Sequence, residues 1–312
     1  MTDFKLIRET LDLPQGAWAQ GWRTLLTRGG RPVLGATQGP RRACLYPVFT
    51  PKGFAVTSES PGDHPHHNSI WIAADHVHAR MVTKGPQDDL GTYDFYVDDI
   101  FQGRAPGTIS ETAMAGKELA DGAYRIVQTL AWRGPREWGA PNGRTLLVEK
   151  RVTEIISATA ATAIDIATTL TATDWEIAIG PTRHALFGVR MAEVMSLGGR
   201  GRLVDSDGRT GGAAISGQRA AWIDYSGPVG GGHRAGIAIL PSPETDWSPW
   251  FATDWGTVAV NPVGERALEL APGASARFSM RLIVHDGVEP AAIDRAWHTY
   301  RAIRRENANL PA

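Results

Sequence analysis

Arg277-Phe-Ser-Met-Arg-Leu-Ile-Val284 alternates: Phe278, Met280, Leu282 and Val284 fall on one side of an extended chain, Ser279 and Arg281 on the other. Successive side chains of a strand point to opposite faces, so an apolar period of two predicts a half-buried antiparallel strand. Ala163–Thr173 reads the same way less strictly, with Ile164, Ile166, Thr168 and Leu170 on one face. Arg144–Val152 is a further strand, and Ala235–Leu240, short and apolar, suits a central one. Turn signals separate these segments at Pro51-Lys52-Gly53, Pro141-Asn142-Gly143, Asp207-Gly208, Gly230-Gly231-Gly232 and Pro272-Gly273. Asn142-Gly143 predicts a tight hairpin. One helix is expected, in Pro290–Arg304, where Ile293, Trp297, Tyr300 and Ile303 recur at helical spacing behind Pro290. No linker divides the chain and no repeat of 20–50 residues is visible. The expectation is a single all-β domain over residues 1–312, a large antiparallel β-sandwich with a short C-terminal helix.

The 312 residues are 42% apolar and 21% charged, which is globular composition with enough material for a sizeable core. The formal net charge is −1. With no basic stripe to follow a phosphate backbone, nucleic acid is excluded as a partner. The single cysteine, Cys44, allows no internal disulfide and suits a reducing compartment. Its apolar surroundings read as packing rather than nucleophilic chemistry. Residues 1–9 lack the basic and apolar regions of a signal peptide, and Ile155–Ala172 carries Asp165 and many threonines. A soluble, cytoplasmic protein away from the membrane is expected.

Five of the 9 histidines, His64, His66, His67, His76 and His78, crowd into a short segment that includes Asp63-His-Pro-His-His-Asn-Ser-Ile-Trp71. In a strand His64 and His66 would share one face and His67 the other, but Pro65 points to an edge, bulge or loop. Three readings stay open. Imidazoles titrate near neutral pH and suit general acid–base chemistry, with Asp63 orienting one ring. They also suit a divalent metal held by His64, His66 and His67, with His76, His78 or the distant His184 completing the shell. Finally, they cap turns at a sandwich rim. No Ser-His-Asp order, P-loop or dinucleotide fingerprint is present, and no cofactor is implied.

Tyr46-Pro-Val-Phe-Thr-Pro-Lys-Gly53, Val56-Thr57, Asp63-His-Pro-His-His67 and Trp71 together resemble the bacterial family labelled "PmoA" or "methane oxygenase". The likeness continues through Phe187-Gly-Val-Arg-Met-Ala-Glu193, Trp222-Ile-Asp-Tyr-Ser-Gly227, Gly236-Ile-Ala-Ile239, Asp254-Trp-Gly256 and Ala259-Val-Asn-Pro262. The label conflicts with the sequence, because particulate methane oxygenase subunits span membranes and this chain has no spanning segment. The resemblance implies a galactose-mutarotase-like supersandwich whose concave face takes a carbohydrate, an implication by fold analogy. Two departures stand out. His184 replaces an acidic residue common before Phe-Gly-x-Arg, and Trp250-Phe-Ala-Thr-Asp254-Trp255 replaces a Trp-His-Val-Arg stretch, so the substrate is expected to differ.

Tryptophan faces stack on sugar rings, which makes Trp71, Trp222, Trp247, Trp250 and Trp255 candidates, with Trp247 and Trp250, in the loop-like Asp246-Trp-Ser-Pro-Trp-Phe251, the preferred platform. Arg190 offers a fork for hydroxyl or carboxylate groups. Strand spacing lets His184 share its face and turns Glu193 to the opposite one. Tyr225, Asp254 and Asn261 complete the substrate-binding candidates. The expected function is a carbohydrate-active enzyme acting on a small sugar or keto-sugar-like molecule. His64, His66 or His67 would move the proton, with Asp63, His184 and Arg190 assisting, in epimerisation, β-elimination or glycoside hydrolysis. The alternatives are a non-catalytic carbohydrate-binding protein and a histidine-ligated metalloenzyme.

Overall fold

The computed structural model describes residues 3–10, 21–81 and 89–308. An eight-stranded sheet runs in the order Phe4–Thr10, Trp22–Arg28, Arg31–Gln38, Ala43–Val48, Ile70–Ala74, Ala185–Arg190, Thr257–Val260, Phe251–Ala252. A second eight-stranded sheet runs Arg202–Asp205, Ile223–Gly230, His233–Pro241, Ser275–His285, Ala161–Ala172, Thr145–Ser157, Tyr124–Arg133, Thr108–Glu118. A five-stranded sheet is built from Leu268–Leu270, Glu176–Ile179, Val77–Met81, Asp89–Asp94 and Ala105–Pro106. Every pairing is antiparallel except the last pair of the five-stranded sheet, which is parallel. The all-β sandwich and the C-terminal helix, Pro290–Ala308, are as expected; a four-residue helix at Gly212–Ile215 carried no sequence signal.

Alternation explains the long strands. Ala161–Ala172 buries every second residue, from Thr162 through Ile164, Ile166, Thr168 and Leu170 to Ala172. Thr145–Ser157 turns Glu149 and Arg151 into the same interior, where they pair at 2.7 Å. Trp132 Nε1 and the Thr168 hydroxyl donate to the Glu149 carboxylate, and Arg151 Nη1 reaches the Ala43 carbonyl on the first sheet. A buried ion pair needs such additional hydrogen bonds to offset its desolvation, and this one also ties the two large sheets together.

Two expectations are corrected. Ser275–His285 is buried on both faces from Ser279 onward, not half-buried. The C-terminal helix covers its outer side, where Ile283, Ala238 and Leu240 pack with Ile293 and Tyr300, and the Arg281 guanidinium lies 4.6 Å from the Tyr300 ring centre. Asn142-Gly143 does not close a tight hairpin. The paired strands end at Arg133 and resume at Thr145, and Gly143, at φ 78°, sits in the second of two successive turns of the intervening loop. Among the described residues no helix is long and apolar enough to cross a membrane.

Candidate active site

The central strands Ile70–Ala74 and Ala185–Arg190 of the first sheet pair in register, Ala74 with Ala185 and Ile70 with Val189. The segments that precede Ile70 and Ala185 thus lie at opposite ends of this strand pair, and residues of both line the same patch. The histidine segment is a pair of tight turns, as Pro65 suggested: His64 N–H bonds the Pro61 carbonyl and His67 N–H bonds the His64 carbonyl. Turn geometry replaces strand alternation, so the three rings are not divided between faces. His64, His66, His67 and His184 line one hollow of about 290 Å³, with Tyr96, Phe101, Arg183, Phe251 and Trp255.

His67 is buried and fully engaged. One ring nitrogen lies 2.7 Å from the Tyr96 hydroxyl, the other 3.2 Å from the Thr257 hydroxyl. Its ring lies between those of His64, at 4.8 Å, and Trp71, at 5.0 Å, and the nearly parallel Trp255 ring lies 4.4 Å from His64 and 5.7 Å from His67. Burial, with His66, His64 and Arg190 nearby, pushes the His67 imidazole down to about 2. His66 stands edge-on to this stack, 4.6 Å from His67 and 5.1 Å from Tyr96. Burial, reinforced by Arg42, His64 and His184, pushes it down to about 4, so it is neutral at pH 7. Neither ring nitrogen of His66 has a hydrogen-bond partner among the described residues.

His184 is held differently. Its Nε2 accepts from Arg183 Nε at 3.1 Å, so Nδ1 carries the proton and donates to Asp75 Oδ2 at 2.9 Å. Asp75, with its side chain 2% exposed, also receives His76 Nδ1 at 2.7 Å and the Thr182 hydroxyl. Burial favours its neutral form, but the hydrogen bonds from His184, His76 and Thr182 win and hold the carboxyl down at about 2. A carboxylate bonded to one imidazole nitrogen fixes which lone pair the ring offers, here Nε2 at the hollow. The His184 ring stacks on Tyr96 at 5.1 Å, so His66 and His184 both border that phenol, which burial keeps protonated.

Arg42 positions the two loops that supply His66 and Tyr96. Its buried guanidinium donates to the carbonyls of His66, Phe95 and Tyr96 and to Asn68 Oδ1 and Asp98 Oδ1. Asp94 shapes the second loop by accepting from the Tyr96 and Val97 amides.

Several candidates from the sequence lie elsewhere. Asp63 is claimed by Arg190, whose Nη2 meets both carboxylate oxygens at 2.8 and 3.0 Å. His64 Nδ1 lies 3.0 Å from Asp63 but off the axis of a hydrogen bond. Against the opposing pull of burial, the contacts with His64 and Arg190 hold the Asp63 carboxyl below its usual range. Arg190 is buried beneath Trp255, its guanidinium 4.9 Å from that ring, and offers no fork to a ligand. Glu193 is not turned away from it: the chain leaves the strand after Arg190 and a 3₁₀ turn, Glu193–Met195, brings the carboxylate to 3.4 Å. Trp71 is the floor under His67. Trp247, Trp250 and Asn261 line a separate hollow of about 200 Å³, their polar atoms bonded to the carbonyls of Ser242, Ala220 and Thr182. Tyr225 is in the core, its hydroxyl donating to the Thr253 and Asp254 carbonyls, and the Asp254 carboxylate accepts the Gly212 amide rather than a histidine.

The histidines do not form a metal shell. Stacked rings point their nitrogens sideways rather than to a common centre, and His76 is taken by Asp75 and Arg104. Among the described residues no three His, Cys, Asp or Glu side chains converge to hold an ion. Asp75, Tyr96, Arg183 and Arg42 were missed by sequence reasoning. Asp75 carried a faint signal, an acid directly after an apolar strand and beside His76; the others meet the site only through tertiary contacts.

Residues 24–298 match the family described as "Family of unknown function (DUF6807)", and the chain belongs to that family. That description, and not a methane oxygenase label, is the one the match carries. A galactose mutarotase-like protein from Clostridium acetobutylicum is similar at 9% identity and TM-score 0.44, over 91% of this chain and 99% of that one. A galactose mutarotase-like protein from Lactobacillus casei is similar at 10% identity and TM-score 0.37, over 90% of this chain and 100% of that one. No curated protein matches the chain.

Proposed function

We propose that the imidazole-lined hollow is the active site of an enzyme that moves a proton on the carbon beside the carbonyl of a sugar or sugar-like compound. The observation that carries this reading is the pairing of two unlike imidazoles at one cavity. His184, oriented by the buried Asp75, carries its acceptor nitrogen Nε2 at the hollow, where Arg183 Nε donates to it at rest, while His66 is neutral at pH 7 and neither of its ring nitrogens has a partner among the described residues. Trp255 and Phe251 give the lining an apolar, aromatic wall of the kind that suits the apolar face of a sugar ring.

In the proposed reaction His184 Nε2 takes the proton and the C–H electron pair moves toward the carbonyl, giving an enediolate. His66 donates a hydrogen bond to that developing oxyanion. A neutral imidazole serves this role because it stabilises the oxygen without surrendering its proton, as the handling of charge in enolising enzymes requires. If the enediolate turns over in the hollow before His184 returns the proton, the epimer results, and expulsion of a β-substituent with its bonding electrons gives the elimination product, the proton staying on His184 until it passes to the leaving group or to water. Both outcomes share the first step and need only a small-molecule substrate. Glycoside hydrolysis calls for a pair of carboxyl groups across the scissile bond, and none lines the hollow.

Screening keto-sugars and sugar acids for turnover, with calorimetry for binding, tests the reading. His184→Asn is expected to lower kcat by about 10²–10⁴-fold while leaving binding within a few-fold. Turnover that survives His184→Asn overturns the assignment of the base; binding without turnover across the panel overturns the enzymatic reading.

A further inference from the structure

Four guanidinium groups stand at or behind the hollow, and three are neutralised. Arg190 pairs with Asp63 and Glu193, Arg42 with Asp98, and Arg104 lies 3.8 Å from Asp75. Arg183 differs. It is exposed, lines the hollow, and has no ion pair among the described residues. Its Nε donates to His184, while Nη1 and Nη2 have no partner among the described residues. Phe251 lies 5.6 Å from the guanidinium, and no carboxylate shares the lining. The interior also resists gaining positive charge, which is why His66 stays neutral.

Resting on the sugar-processing reading of the same hollow, we propose that the substrate is a sugar acid whose carboxylate docks on the two terminal nitrogens of Arg183. The edge formed by Nη1 and Nη2 of this planar fork matches a carboxylate bidentately. The cavity volume of about 290 Å³ is at the lower end of small-molecule sites and suits a single monosaccharide unit. The contact also governs the base. At rest Arg183 Nε–H occupies the His184 Nε2 lone pair, the pair that must receive the substrate proton. A carboxylate that draws the guanidinium onto itself uncovers that lone pair, whereas a neutral sugar leaves it capped. Arg183 is thus a specificity residue for the acid and a positioning residue for His184.

Calorimetry with D-glucuronate and D-galacturonate against D-glucose and D-galactose tests this, with D-glucose 6-phosphate as a further anion. The acids are expected to bind the wild-type chain about 10- to 100-fold more tightly than the neutral sugars, as a charge-assisted hydrogen bond provides. The preference is expected to shrink with added salt, to fall to near unity in Arg183→Gln, and to persist in part in Arg183→Lys. Equal binding of acids and neutral sugars to wild type overturns the inference but leaves a sugar-binding hollow. So does a preference that survives Arg183→Gln. Tighter binding of the phosphate than of either acid overturns the carboxylate assignment. Binding of none of the compounds overturns both the inference and the reading of the hollow on which it rests.

Discussion

His66 and His184 show how environment divides the labour of one residue type. Both border Tyr96, yet burial and surrounding basic groups hold His66 neutral, while the Asp75 carboxylate sets which His184 nitrogen is protonated. The low His66 value has a consequence for stability. Its folded-state value, about 4, lies below the ordinary 6.5, so the unfolded chain binds the proton first as pH falls. His66 therefore contributes stability that is complete above about pH 6.5 and is lost as pH drops toward 4. The expected outcome is that the Tm of the wild type, relative to His66→Asn, declines across that window and is constant above it; a difference independent of pH would show that His66 titrates normally. The histidine cluster was legible at this scale because five imidazoles in one short segment are conspicuous. Asp75 and Arg183 were not, since an acid after a strand and an arginine before one gain meaning only when Ile70–Ala74 and Ala185–Arg190 pair.

At the scale of the element, the floor of the hollow depends on one glycine. Gly188 is paired with Trp71 across the two central strands, and a Cβ there would stand 2.1 Å from the indole ring. The absence of a side chain lets Trp71 lie flat over the strand and support His67. Gly188→Ala must displace a buried indole and is expected to cost about 1–3 kcal/mol, as overpacking of a well-filled interior does. Denaturant unfolding checks the cost, and weakened sugar binding should accompany it. Unchanged stability would mean that Trp71 moves freely. Strand periodicity was legible in Ala161–Ala172 and Ser275–His285 because core-facing positions repeat every second residue. What alternation could not convey was the covering of the outer face by the C-terminal helix, which buries Arg281 against Tyr300. It also misplaced Glu193, because the strand ends at Arg190 and a turn reverses the carboxylate.

For the whole molecule, the sandwich brings segments from residues 63–76, 95–101, 183–190 and 251–257 to one patch of the first sheet. The tryptophans at 247 and 250 are near in sequence to Trp255 but serve another hollow, because the bonds of their indole nitrogens to the Ser242 and Ala220 carbonyls fix them there. Their loop-like sequence context could not tell which hollow they would line. The most direct measurement of proton removal by His184 is deuterium wash-in, followed by proton NMR in D₂O on a panel of keto-sugars and sugar acids that the hollow binds. Wild type is expected to exchange the hydrogen on the carbon beside the carbonyl of at least one such compound, and His184→Asn to bind it without exchanging it. Exchange undiminished in His184→Asn, or no exchange in any compound bound, would contradict it.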